Sequence, residues 1–206
     1  MFAILVAAGW PIWFLLVTSI VTVAIIVERF IALQQKKIIP AGLLMDVLNL
    51  HQNRQITPEI VAKLENNSPF GRILAGGLRN AGAPHDVLKS AIEDVGRHVA
   101  HDLARFLNAL GTIASTAPLM GLFGTVVGMI EIFGATGGAV GVSAGTTNVG
   151  QLAHGISVAL YNTGFGILIA IPALITYRYF RGKVDDLVME MEMQAVRLTD
   201  ALQRRA

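Results

Sequence analysis

The chain has 206 residues, 53% of them hydrophobic, with a mean hydropathy of +0.59 and a formal net charge of +2. That composition is too apolar for an ordinary soluble domain, and its long apolar runs read as membrane spans. There is no cysteine, which excludes a disulfide framework and any thiolate metal site.

The placement of charge says more than its sum. Residues 1–27 carry no charged side chain, Glu131 is the only one between Phe106 and Tyr177, and every Lys and Arg lies within 29–105 or 178–205. Under the positive-inside rule both basic blocks are cytoplasmic. Three crossings, with the amino terminus outside and the carboxy terminus inside, satisfy that map. The expected fold is an all-α integral membrane protein with long cytoplasmic helical extensions.

In chain order, residues 1–9 form an outer amino terminus and 10–28 the first span, with Trp10 and Trp13 as an aromatic belt at its outer end. A cleaved signal peptide is the rival. Against it, no basic segment precedes the apolar run, and Arg29 follows it. Residues 29–105 read as a cytoplasmic helical domain. In it Thr57-Pro58 and Ser68-Pro69 each place an N-cap before proline at the first helical position. Asn80, Gly82 and Pro84 mark a stop and a new start. From Pro84 the apolar spacing runs without a breaker into the second span, 106–133, predicting one helix from Pro84 to Phe133.

Residues 134–152, rich in Gly, Ser and Thr and uncharged, are expected to form an outer loop. The third span is 153–177, and 178–206 continue as a cytoplasmic C-terminal helix. There Val184, Leu187, Met191, Ala195, Leu198 and Leu202 recur at heptad-like spacing. Such a stripe packs on a neighbouring helix, here residues 84–105 of the same or an adjacent subunit.

The second span is poor lipid-facing material, because Gly121, Gly124, Gly128, Thr125, Ser115 and Thr116 expose backbone and hydroxyl. Gly124 and Gly128 form a G-x-x-x-G step, and Gly121 and Thr125 repeat the spacing, so another helix can approach closely. The wider string APLMGLFGTVVGMIEIF resembles the second membrane helix of the MotA/TolQ/ExbB proton-channel family. GISVALYNTGFGILIAIP, beginning at Gly155, resembles that family's third helix. Order, spacing and chain length agree over essentially the whole chain, most closely with the ExbB branch.

The resemblance implies that Thr125 and Thr163 lie on a proton pathway, since a hydroxyl can order water without holding charge. The residues alone allow a plainer role, in which each bonds back to its own helix or simply packs. Gly121, Gly124, Gly128, Pro118, Ala159 and Pro172 are expected to pack helices or line the pore. Val158 stands where many relatives carry a glutamate, and valine cannot hold a proton. Glu131 reads equally as a cation-attracting outer mouth or as a carboxylate at the interface. Asn162, at membrane depth, reads as helix-to-helix glue. His98, His101 and Asp102 read as a solvated face, with no metal site.

No G-x-S-x-G, H-E-x-x-H or phosphate-binding loop is present, so neither an enzyme nor a cofactor is expected. The resemblance further implies a homopentamer in the bacterial inner membrane. In its pore would sit an ExbD-like single-span subunit whose aspartate carries protons. Proton-motive force would then pass to a TonB-like partner and energise outer-membrane transport; nucleic acid is not a partner. A TolQ-type role in the Tol-Pal envelope system is the near alternative. A MotA-type stator is disfavoured, because it needs a fourth span. A small secondary transporter would show an inverted repeat, and none is visible.

Overall fold

The computed structural model describes residues 9–137 and 149–203, with side chains at 9–131 and 155–203. Every regular element among them is a helix. These are α1 (Pro11–Ala32), α2 (Gln35–Ile38), α3 (Leu43–Gln52), α4 (Pro58–Glu65), α5 (Pro69–Arg79), α6 (His85–Leu103), α7 (Leu107–Gly137) and α8 (Val149–Gln203). Three stretches are helical, long and apolar enough to cross a membrane: Pro11–Ala32 and windows within His85–Glu131 and Gly155–Gln203. The protein is an all-α membrane protein.

The chain divides into two compact units, Met1–Val27 with Phe106–Arg178, and Glu28–Arg105 with Tyr179–Ala206. In the first, α1 lies against α7 and α8 through Leu15, Ala117, Ile169 and Ala170, with Ile113, Met120 and Phe165 around them. Trp10 of α1 meets Phe123 of α7 edge to face, with ring centroids 6.1 Å apart.

In the second unit the heptad stripe is buried throughout, from Val184 to Leu202. It packs on α5 and α6 of its own chain: a Cβ on Gly77 would stand 2.8 Å from Leu198 and 3.2 Å from Ile92. Phe70, Leu74, Leu88 and Val99 complete this core.

Local chemistry sets the helix starts here. Thr57 and Ser68 both have extended backbones and cap α4 and α5, each ahead of a proline. Their bonds differ in quality. Ser68 Oγ accepts from the Gly71 amide at 3.0 Å in a buried setting, whereas Thr57 Oγ1 accepts from Ile60 at 3.4 Å in an exposed one. Ser68→Ala should therefore cost about 1–2 kcal/mol, because an N-terminal amide is left buried without its acceptor. Thr57→Ala should cost less than about 0.5 kcal/mol, since water replaces the hydroxyl. Paired thermal melts of the two variants check that order.

Two expectations are corrected. The helix predicted from Pro84 to Phe133 is broken: residues 104–106 form a turn, and Phe106 has φ 65°. The ladder closes with Ala104 donating to Ala100 and Arg105 to Asp102, then restarts where Leu110 donates to Phe106. A left-handed backbone costs an L-residue roughly 1–2 kcal/mol, so the surrounding structure must hold it. The stretch expected to be an outer loop at 134–152 is helical at both its ends, since α7 runs to Gly137 and α8 begins at Val149; residues 138–148 lie outside the described residues. Helical geometry extends through 134–137 and 149–152, where the sequence reads Gly-Ala-Thr-Gly and Val-Gly-Gln-Leu and contains no proline to break it.

Candidate functional site

Small residues decide how α7 and α8 meet. On α8, Gly155, Ala159, Asn162, Gly166, Ile169, Ala170 and Ala173 are buried in steps of three and four, one face of a helix. On α7 the matching face is Ala114, Ala117, Gly121, Gly124 and Gly128. A Cβ on Gly121 would stand 2.7 Å from the Asn162 carbonyl oxygen and 3.0 Å from the Thr163 Cα. One on Gly166 would stand 2.6 Å from the Ala117 carbonyl oxygen, and one on Gly124 2.8 Å from the Asn162 side chain. Towards the carboxy-terminal end of α7 the seam is looser, and a Cβ on Gly128 would be 3.9 Å from Ala159. At the other end a Cβ on Gly111 would stand 3.1 Å from the Tyr177 ring. Partner numbers fall on α8 as they rise on α7, so the two helices are antiparallel.

Asn162 is at the centre and fully buried. Its Nδ2 donates to the Val158 carbonyl at 3.4 Å, so part of its polarity is satisfied within its own helix. Gly124, without a side chain, leaves room for it.

Thr125 and Thr163 stand at the edge of this seam, both half-buried. At about 100° per residue, Thr125 lies about 40° round from Gly121, and Thr163 about 40° round from Ala159. On antiparallel helices these rotations bring both to one flank of the α7·α8 pair. The opposite flank carries Ile113 and Met120 of α7 and Phe165 and Ile169 of α8, the residues that pack with α1. The threonine flank is the one that α1 leaves open.

Their hydroxyls differ. Thr125 Oγ1 donates to the Leu122 carbonyl at 2.7 Å, as Thr116 does to Thr112 and Thr176 to Pro172. Thr163 has no hydrogen-bond partner among the described residues, although the Ala159 carbonyl lies one turn back.

The other residues singled out in the sequence take separate places. Val158 is half-buried and, about 140° from Thr163, turns to the flank that α1 covers. Pro172 lines a cleft of about 200 Å³ with Ile12, Leu15 and Thr22 of α1. Pro118 sits inside α7, beside the buried Ala117. Glu131 is exposed, two turns before the end of α7, with no ion-pair partner among the described residues. Asp102 accepts from Arg72 Nη2 at 2.8 Å, and no metal-binding group forms with His98 and His101 among the described residues.

Two participants escaped the sequence reading. Gly166 closes the seam from α8, and the three- and four-residue steps around it were the available clue. Arg29 is the other. Only 6% exposed, it pairs with Glu28 through Nη2 at 2.7 Å and donates from Nη1 to the Leu103 carbonyl at 3.1 Å, at the end of α6. A buried guanidinium is tolerated because both its charge and its donors are met.

Membrane-length helices joined by a glycine seam, with an amide at their contact, hydroxyls at its edge and no charge within it, define a polytopic helical membrane protein. A model of the MotA/TolQ/ExbB proton channel family matches residues 65–193, and the chain belongs to that family. It is 33% identical over 168 residues to an ExbB-like biopolymer transport protein of Synechocystis sp., covering 79% of this chain and 76% of the relative. It is 31% identical over 174 residues to the biopolymer transport protein exbB1 of Vibrio cholerae, covering 81% and 72%. A shorter match, 44% identical over 88 residues, links it to an ExbB-like protein of Helicobacter pylori, over 43% of this chain and 44% of that one.

Proposed function

We propose that this chain is the channel subunit of an ExbB–ExbD-type motor in the bacterial inner membrane. In that reading it uses the proton-motive force to energise TonB-dependent outer-membrane transport. The observation that carries it is the open flank bearing Thr125 and Thr163, at a seam with no ionisable group. Hydroxyls there can order water, but among the described residues of the seam none carries a group that binds a proton near neutral pH. The titratable group must then come from a second chain, and a single-span subunit with an aspartate supplies it. A homopentamer places five such flanks around that helix, with the amino terminus outside and the basic blocks in the cytoplasm. One elementary charge crossing 100 mV releases about 2.3 kcal/mol, so a few protons suffice for a large rearrangement.

Affinity purification from the native membrane, followed by mass measurement of the intact complex, tests the reading. A pentamer that retains a single-span, aspartate-bearing subunit supports it; a lone chain, or a complex without that subunit, overturns it. A deletion strain that loses iron-limited growth marks the TonB-linked role. One that instead becomes detergent-sensitive marks the TolQ-type role in the same family.

A further inference from the structure

We propose that the cleft between the start of the first basic block and the start of the second is a binding site for the headgroup of an anionic phospholipid. The cleft has a volume of about 370 Å³, and its wall includes Arg29, Phe30, Gln34, Lys36, Tyr179 and Lys183. Three cations line it and no carboxylate does. Arg29 is already engaged by Glu28 and Leu103. Lys36 and Lys183 have no ion-pair partner among the described residues, and the nearby Glu190 accepts from Gln35 at 2.8 Å. Two lysines without an ion-pair partner among the described residues thus line one cavity, which is the arrangement a phosphodiester neutralises.

The aromatic side chains point to a lipid rather than a free anion. Phe30 stacks on Tyr179 with centroids 6.1 Å apart, and meets Phe180 edge to face at 4.9 Å. Phe180 is buried, but Phe30, Ile31 and Tyr179 are 52%, 52% and 57% exposed. These residues come directly after the first and third apolar runs, the depth at which amphipathic rings and phosphates meet. Water would be a poor medium for that apolar surface, and free phosphate would leave it uncovered. A phospholipid satisfies both halves. Its phosphate sits between the lysines, the Tyr179 hydroxyl and Gln34 amide have donors for its oxygens, and its glycerol and first methylenes cover the rings.

The test uses the whole assembly in nanodiscs containing equal phosphatidylglycerol and phosphatidylcholine, with native mass spectrometry counting the lipids that survive detergent-like activation. Wild type should retain one phosphatidylglycerol per chain in preference to phosphatidylcholine. Each basic residue near an anionic surface is worth about a fivefold change in affinity, so Lys36→Gln with Lys183→Gln should bind about thirtyfold more weakly. Lys36→Arg with Lys183→Arg should retain binding. If the double glutamine variant does not assemble, the single variants are measured, each expected to lose about fivefold. Equal retention of both lipids, unchanged retention by the glutamine variants, or displacement by excess inorganic phosphate would overturn the proposal; so would a wild-type assembly that carries no lipid there because another chain fills the cleft.

Discussion

Gly121→Leu should abolish the folded protein, whereas Gly128→Ala should leave it intact. The difference lies in what a new side chain meets. At Gly121 even a Cβ would stand 2.7 Å from a backbone oxygen and 3.0 Å from a Cα of α8, neither of which can turn aside. Four added carbons must push α7 and α8 apart along the whole seam, including the contacts at Gly124 and Gly166. Overpacking costs typically 1–3 kcal/mol where side chains can give, so about 3 kcal/mol is a floor here. That is a large share of the roughly 5–15 kcal/mol holding a folded domain. At Gly128 a Cβ would find Ala159 at 3.9 Å, an ordinary contact. Replacing a helical glycine by alanine there should shift stability by less than about 1 kcal/mol, and in the stabilising direction. The measurement is yield of monodisperse protein in detergent, followed by a thermal melt on Trp fluorescence, since Trp10 touches Phe123 of α7. Equal melts for the two variants would mean that α7 and α8 do not meet face to face.

This placement changes what the glycines are for. Read along the sequence, the small-residue spacing of α7 said that some helix comes close, without saying whose. The structure spends Gly121 and Gly124 on α8 of the same chain, so a bulky substitution there acts on the subunit before it acts on an assembly. The caps at Thr57 and Ser68 were legible because a cap is decided within four residues. The break at Phe106 was not, since residues 97–110 contain no proline or glycine and Phe106 adopts φ 65° against its own preference. Arg29 was likewise hidden: its partner carbonyl at Leu103 is 74 residues away, and a lone Arg after an apolar run looks like a membrane-edge charge. Family motifs pointed to Thr125 and Thr163. Their shared flank needed α8's direction and α1's position, which no local pattern encodes.

Thr163→Val should assemble normally and lose proton-driven activity, and Thr125→Val should do the same by a smaller factor. Valine keeps the branched shape of threonine and removes only the hydroxyl, so packing at the seam edge is largely spared. For assembly the cost is small. A hydrogen bond inside a helical bundle is worth about 0.6 kcal/mol on average, and Thr163 makes none within the described residues. For a water path the cost is larger, because a polar group stranded at membrane depth loses several kcal/mol and a broken file interrupts proton transfer. The two threonines should not be equivalent. Thr125 already donates to the Leu122 carbonyl at 2.7 Å, so its hydroxyl offers water mainly an acceptor, whereas Thr163 has both donor and acceptor to give. Loss of activity should therefore be greater at Thr163, about tenfold or more if one stabilising contact of ~1.4 kcal/mol is removed from the rate-limiting step. Thr163→Ser, which restores the hydroxyl without the methyl, should recover much of it. The assay pairs mass of the intact complex with proton flux in reconstituted vesicles. Valine variants that conduct normally, or that fall apart before flux can be measured, would make both threonines packing residues and remove them from the pathway.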